Sequence, residues 1–406
     1  MIINPTKTVN ELVTVLPYII DIEDKKKIYH SWRVAIISGY CAQKFIKPQQ
    51  LKQLFYAALL HDIGGVGFPI HIIHYLKRTD KTSRNVLLSH PIIGAQLISN
   101  MPQMNPVAKL VLDHHEWING MGYPRAKIKK DIPWGSQVIR IADSIDIALQ
   151  IGHVKNFLEL KDELAKNINR EYTKDLFLRT FDALKRNRLF HRIFHPKNIP
   201  AVFKKLHEEV GLLKIPAKID AVGKSLEAVA QIIDMKHPFT SGHSLRVSRY
   251  AMAIALSMGL SHDETTRIRW AGLLHDIGKL TVPRKILDKP TNLTPAEYRE
   301  VQKHAKHTFD IMNLITSLSD ITVIAASHHE HFDGRGYPFR LKEDEIPLGG
   351  RILAICDAFD AMTSNRPYRR PLTFEEACVE IKRMSGKQFD PEIVEIALPL
   401  LRNLGF

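Results

Sequence analysis

Between residues 243 and 357, this chain carries His243, His275, Asp276, His304, His328, His329 and Asp357, seven side chains able to hold a metal. Imidazole and carboxylate together suit divalent ions of intermediate softness. Five imidazoles and two carboxylates are more donors than one ion needs, so the set points to two ions. Iron or manganese come first, with nickel or zinc as alternatives. The adjacent pair His275–Asp276 fits this reading. Successive side chains on a helix diverge by about 100°, so both can reach one cluster from a helix end. An imidazole binds one ion, whereas a carboxylate has two oxygens and can bridge two. A bridged pair lowers the pKa of a shared water and clamps the attacking and leaving oxygens of a phosphoryl displacement.

The same residue types occur earlier in the chain. HSWRV (30–34) matches HSLRV (243–247), and LFYAALLHDIGG (54–65) matches IRWAGLLHDIGK (268–279). LSHPIIGAQLI (88–98) matches QKHAKHTFDIM (302–312), and DHHEWINGMGYP (113–124) matches SHHEHFDGRGYP (327–338). IPWGSQVIRIADSID (132–146) matches IPLGGRILAICDAFD (346–360). The offset is 213 at the first pair and 214 at the others, a single inserted residue across five blocks. Self-similarity at so regular a spacing marks a duplicated unit. The first copy offers a second metal set: His30, His61, Asp62, His90, His114, His115 and Asp143. A lone histidine is more often packed core than ligand. Seven ligand-capable residues recurring in order in two copies are read as a site.

The elements that position these side chains read as helices. IRWAGLLHDIG, AEYREVQKHAKHTFDIMNLI and RILAICDAFDAM place apolar residues at i, i+3, i+4 and i+7. Pro283, Pro290, Pro295, Pro338 and Pro347 punctuate the loops, and strand-like alternation is scarce. Thr294, Pro295 and Glu297 have the order of an N-cap, N1 and N3. The fold class expected is all-α, two tandem helical bundles of five to seven helices each. The boundary falls in 208–222 and is placed to give domains 1–212 and 213–406. The apolar spacing of 202–233 predicts an ordered helical connector.

Composition narrows the function classes. With 57 Lys+Arg against 43 Asp+Glu, the formal net charge of +14 implies an anionic partner. No run of five basic residues and no zinc-finger spacing is present, so a nucleic acid polymer is not expected as partner. Cys41, Cys356 and Cys378 are too few and too scattered for a disulfide framework, which fits a reducing compartment. The N-terminus lacks a basic region followed by a long apolar run, and no stretch reaches 18 apolar residues, so neither a signal peptide nor a membrane span is expected. A cytoplasmic location follows as the expectation.

HDIGK, then HHEHFDGRGYP, then ICDAFDAMTSNRPYR resembles the HD-GYP family of metal-dependent cyclic dinucleotide phosphodiesterases, over essentially all of 219–406. The resemblance implies HD-superfamily bundles. It implies one ion on His243, His275, Asp276 and Asp357 and another on Asp276, His304, His328 and His329, with Asp276 as the bridge. It also implies that Lys279 contacts a substrate phosphate and that Arg366 and Arg369 sit on the other side of the dinucleotide. Arginine's planar fork suits both phosphate and the flat face of a guanine. Gly334, Gly336, Tyr337 and Pro338 form the namesake loop, where Tyr337 serves either the substrate or a protein partner of the GGDEF type. Family members with three metals carry a Glu four residues before the first His; this chain has Phe239 there, so two ions are expected.

The first copy keeps every ligand position but not the substrate side. Gly65 stands where the second copy has Lys279, Asn119 where it has Asp333, and no RPYR follows Asp146. Three readings stay open for it: a metal-binding domain, a scaffold with relic histidines, or a phosphatase of other specificity. For the second copy the expected reaction is hydrolysis of a 3′–5′ linkage of cyclic di-GMP or 3′3′-cGAMP to linear 5′-pNpN, with further cleavage to mononucleotides as an extension. Asp276 and Lys279 are the candidate catalytic residues. Asp360, one turn after Asp357, is a candidate for proton handling, with support of a ligand histidine favoured. The rival classes are a non-catalytic dinucleotide receptor and a general HD-superfamily nucleotide phosphohydrolase.

Overall fold

The computed structural model describes residues 4–22, 28–66, 68, 81–150, 154–216, 219–236, 241–364 and 370–403. It divides into two compact units, Pro5–Ala221 and Val222–Phe406. The first contains α1 (Pro5–Ile22), α2 (His30–Ala42), α3 (Pro48–Leu60), α4 (Lys81–Ser99), α5 (Asn105–Leu112), α6 (Trp134–Gln150), α7 (Phe157–Ala165), α8 (Lys174–Arg186), α9 (Leu189–Phe194) and α10 (Ile199–Val210). Then come α11 (Ile219–Met235), α12 (His243–Ser257), α13 (His262–Leu274), α14 (Arg284–Leu287), α15 (Pro295–Met312), α16 (Ser319–Ala326), α17 (Leu348–Thr363), α18 (Phe374–Arg383) and α19 (Pro391–Asn403). Apart from three isolated bridges, the described residues hold no β-structure, as the all-α reading requires.

In the second unit α12 packs on α13 and α17, and α13 packs on α16. Val247 and Ile254, Trp270 and Leu274, and Ile352 and Ile355 fill the centre, each at most 1% exposed. Truncating one of these to alanine costs about 2–5 kcal/mol. The corresponding helices α2, α3 and α6 make the same arrangement in the first unit, around Val34, Leu59 and Val138. The start of α15 is fixed by sequence: Thr294 Oγ1 accepts from Glu297 N–H at 3.3 Å and Glu297 accepts from Thr294 N–H at 2.8 Å, with Pro295 at the first helical position.

Three expectations need correcting. The units hold more helices than five to seven, because short segments such as α14 and α16 carry too few turns to show a period. The connector is not one helix: α10 ends at Gly211, which has a φ of +73° suited to glycine, and 211–216 is non-helical before α11. The division lies at 221/222, inside the expected 208–222 but beyond the cut placed at 212/213, because 213–215 are bonded into the first unit. Leu213 N–H donates to Asn10 Oδ1 at 2.9 Å, and Ile215 N–H donates to Thr6 Oγ1 at 3.2 Å. No single helix among the described residues is long and apolar enough to cross a membrane.

Candidate metal centre

His243 is the first residue of α12, after Gly242 with φ of +71°. The free N–H of Ser244 and its hydroxyl donate to Asp234 at 3.2 and 2.7 Å, which pins this helix start. His275 caps the end of α13, and Asp276 leads into a tight turn at Ile277–Thr281. Gly278 in that turn lies so close to α15 that a Cβ there would sit 2.0 Å from the carbonyl oxygen of His304. The glycine of HDIGK is what lets the His-Asp pair approach His304. His328 and His329 follow the end of α16, and Asp357 comes from α17.

The seven residues meet in two adjoining nests. Asp276 Oδ2 is 3.5 Å from His243 Nε2 and 3.4 Å from His275 Nε2, and Asp357 Oδ1 is 3.3 Å from His243 Nε2. Asp276 Oδ1 faces the other way, 3.5 Å from His304 Nε2 and 3.9 Å from His328 Nε2. His329 completes the second nest, its Nδ1 4.0 Å from Asp357 Oδ2. One carboxylate thus offers one oxygen to each nest.

Hydrogen bonds at the far side of each ring aim the histidines. Nδ1–H of His275, His304 and His328 donates to the carbonyls of Gly272, Val301 and Ala325 at 2.8, 2.6 and 2.7 Å. His243 Nδ1–H donates to Asp360 Oδ2 at 2.7 Å. With the proton held at Nδ1, each Nε2 presents a lone pair to the centre. Nε2 atoms then oppose one another at 3.2 Å between His243 and His275 and 3.3 Å between His304 and His328. Asp276 Oδ1 is buried with no hydrogen-bond partner. Converging lone pairs around a buried, unsatisfied carboxylate oxygen are costly unless a cation sits among them. The donor set therefore fits divalent metal.

The electrostatics agree. Burial holds the basicity of His275 down, that of His304 to about 3 and that of His329 to about 4, which keeps these rings neutral as ligands must be. Burial also opposes charge on His243, yet Asp276, Asp357 and Asp360 outweigh it and raise its pKa well above the ordinary value. That excess negative charge is what a metal would take up. Burial disfavours ionised Asp276, but Lys279, His275 and the other rings keep its carboxyl well below the usual range.

Lys279 Nζ lies against Asp276 Oδ2. Asp360 also accepts from Arg246 Nε at 2.6 Å and Nη2 at 3.0 Å, so it stands between that guanidinium and His243. In the namesake loop, Glu330 of the HHE triplet accepts from Phe339 N–H at 2.7 Å and Leu341 N–H at 3.1 Å. Gly336 approaches the turn so closely that a Cβ would meet His331 N at 2.2 Å. These contacts lay the Tyr337 ring beside His329, 4.8 Å between centroids. Arg366, Arg369 and Phe239 lie outside the described residues. Sequence reading assigned no role to Asp234, Arg246 or Glu330. All three recur as Asp21, Arg33 and Glu116, and that recurrence was the available signal.

The first copy repeats the nests. Asp62 Oδ2 is 3.5 Å from both His30 Nε2 and His61 Nε2, and its Oδ1 is 3.4 Å from His90 Nε2 and 3.7 Å from His114 Nε2. Asp143 Oδ1 is 3.8 Å from His30 Nε2, and His115 joins His90 and His114. With Gly65 in place of lysine, Asp62 is 14% exposed, against 3% for Asp276.

A family model described as HD domain matches 15–155 and 227–393, one match in each copy. This chain belongs to the HD domain family. Over 251 residues it is 38% identical to a cyclic di-GMP phosphodiesterase of Thermotoga maritima, covering 60% of this chain and 66%, just under two thirds, of that protein. Over 329 residues it is 30% identical to 3′3′-cGAMP-specific phosphodiesterase 3 of Vibrio cholerae, covering 79% of this chain and 68% of that one. The crystal structure of the V. cholerae cyclic GMP-AMP specific phosphodiesterase V-cGAP3 matches with a TM-score of 0.64 and 25% identity over 98% of both chains. That match extends across both HD domains.

Proposed function

We propose that the second HD domain is a phosphodiesterase that opens a cyclic dinucleotide at a 3′–5′ linkage, releasing linear 5′-pNpN. The observation that carries this reading is the division of Asp276, one oxygen toward His243 and His275 and the other toward His304 and His328. Two divalent ions, iron or manganese first, belong in these nests, held by His243, His275, Asp276 and Asp357 and by Asp276, His304, His328 and His329. Bound there, they supply Lewis-acid charge and an activated water for an in-line displacement at phosphorus.

The chain's own residues do the rest. Asp360 and Arg246 lock His243 with its proton on Nδ1. Lys279, held at the rim by Asp276, supplies a mobile positive charge for a non-bridging phosphate oxygen. Arg366 and Arg369 are the proposed anchors for the far phosphate and base. Tyr337, fixed over His329, limits how a nucleotide enters. A GGDEF-type protein partner at the loop of Tyr337 is the accompanying proposal. The names of the relatives cover both cyclic di-GMP and 3′3′-cGAMP, which supports the substrate class and leaves both bases as candidates. The first copy, lacking a counterpart of Lys279, does not turn over the dinucleotide. The test is product chromatography of both cyclic dinucleotides with Mn²⁺ or Fe²⁺ under reducing conditions. A linear product supports the reading; tight binding of intact substrate without product would make the chain a receptor instead.

A further inference from the structure

Beyond the loss of Lys279, the two HD domains differ by a pair of residues at the metal centre. Arg140 of α6 stands where α17 has Ala354, and Glu171 stands where the second copy has Gln388. Arg140 is 12% exposed and reaches into the ligand set. Its Nη1 donates to Asp143 Oδ2 at 3.1 Å and to His115 Nδ1 at 3.0 Å. Its Nε donates to the buried Glu171 at 3.0 Å, and Glu171 is held in turn by Arg170 Nη2 at 2.9 Å.

A guanidinium is always charged and can only donate, so His115 Nδ1 must be the acceptor. Neutral His115 then carries its proton on Nε2, and neither ring nitrogen keeps a lone pair for a metal. In the second copy the matching atoms, His329 Nδ1 and Asp357 Oδ2, face each other at 4.0 Å, and Ala354 stands at the position of the arginine. Asp62, His90, His114 and His115 still converge within 4.8 Å of one another. Chemistry, not distance, closes that nest: one of its four donors is spent and a fixed positive charge stands beside it. The other nest, His30, His61, Asp62 Oδ2 and Asp143 Oδ1, keeps all of its donors.

We infer that Arg140 takes the place of a divalent cation, so that the first HD domain holds one metal ion, between His30, His61, Asp62 and Asp143, where the second holds two. The paired substitution supports this. Arginine needs an acidic partner when buried, and Glu171 is present only in the copy that has the arginine. A mononuclear centre next to a guanidinium keeps the nests folded and charge-balanced without the bridged pair.

The inference rests on the metal reading given under Proposed function, and the experiment separates the two. Crystals of the full chain loaded with Mn²⁺ locate ions by anomalous scattering in each copy independently. One peak in the first copy and two in the second is the expected result. Two peaks in the first copy, or none, would overturn the role of Arg140. A wrong count there, beside two ions and hydrolysis in the second copy, leaves the phosphodiesterase reading standing. A solution arm uses the full chain with His275→Ala and Asp276→Ala to empty the second copy. Bound Mn²⁺ should number one per chain and rise to two, with an exchange-coupled electron spin resonance signal, on Arg140→Ala with Glu171→Gln, which restores the pair found in the second copy. An unchanged count in the folded variant overturns the proposal. Should that variant not fold, the anomalous peaks of the unsubstituted chain decide alone.

Discussion

His243 and Asp360 share a buried hydrogen bond of 2.7 Å from Nδ1 to Oδ2, and His30 and Asp146 share one of 2.7 Å in the first copy. In both, an arginine three residues after the histidine, Arg246 or Arg33, braces the same carboxylate. The carboxylate fixes the tautomer and raises the electron density that Nε2 can offer a metal. Because it faces the centre through His243, a positioning role is the one proposed for it.

Asp360→Asn should therefore weaken metal binding without unfolding the second unit. The amide has one acceptor and one donor, and it sits between donors from His243 and Arg246, so one contact must fail. A ten- to a hundredfold loss in affinity is expected, the usual cost of removing a ligand's outer partner. Titration of the metal-free chain with Mn²⁺ measures it. Unchanged affinity would reduce Asp360 to packing.

Lys279→Ala should leave metal content intact and lower kcat/KM. In the structure the lysine occupies Asp276 Oδ2, the oxygen a metal would use, so removing it takes away a competitor rather than a support. Losing a charged contact to phosphate costs about 1.5–3 kcal/mol, roughly ten- to a hundredfold. Elemental analysis beside steady-state kinetics separates these effects, and an emptied site would show that binding and substrate roles are not divided as proposed.

The copies can be told apart by paired substitutions. His275→Ala with Asp276→Ala should abolish dinucleotide hydrolysis, because the bridge and a ligand are gone. His61→Ala with Asp62→Ala should lower it modestly or affect stability alone. Retained hydrolysis in the first variant would move the active site to the first copy.

Gly278→Ala should destabilise the second unit and disturb the metal centre together. The added Cβ would lie 2.0 Å from His304 O and 2.6 Å from Thr308 N, backbone atoms that cannot swing aside as a side chain can. Overpacking of this kind costs about 1–3 kcal/mol. Thermal unfolding and metal content should fall in parallel; a stable, fully loaded variant would show that the turn yields freely.

The ligand set was legible because its residue types are rare and recur in order, and the helices α13, α15 and α17 because they are long enough to show a period. What the sequence hid was second-order. Asp234 works through hydrogen bonds to Ser244, ten residues on, that no periodicity signals, whereas Asp360 was already a candidate to support a ligand histidine and finds His243 and Arg246 across the unit. Glu330 had no role assigned to it, because its partners are the backbone N–H groups of Phe339 and Leu341, which no residue pattern marks. Arg140 reads as an ordinary helical arginine until α6 turns it toward Asp143. The break at 211–216 escaped because apolar spacing continued through it, with Leu213 and Ile215 buried in extended rather than helical chain.

The last expectation concerns pH. Asp21 accepts from Ser31 N–H at 2.9 Å and from Ser31 Oγ at 3.2 Å, and burial raises its pKa to about 7. Its unfolded value is near 4. Between these, the folded chain keeps a proton that the unfolded chain releases, so stability falls as pH rises from about 4 to about 7 and is flat beyond. The full span corresponds to about 4 kcal/mol as an upper figure. Asn in this place stays neutral, accepts from the Ser31 N–H and donates to its hydroxyl. Asp21→Asn should thus match the unsubstituted chain near pH 4 and exceed it in stability near pH 8. Denaturant unfolding of the metal-free chain at both pH values checks this, and taking the difference between variant and parent removes the titration of groups that do not interact with Asp21. The equivalent Asp234, raised to about 6, should show a smaller effect confined to about pH 4–6. Equal stability of Asp21→Asn and parent at pH 8 would mean that the buried carboxylate is fully compensated by His30, Ser31 and Arg33.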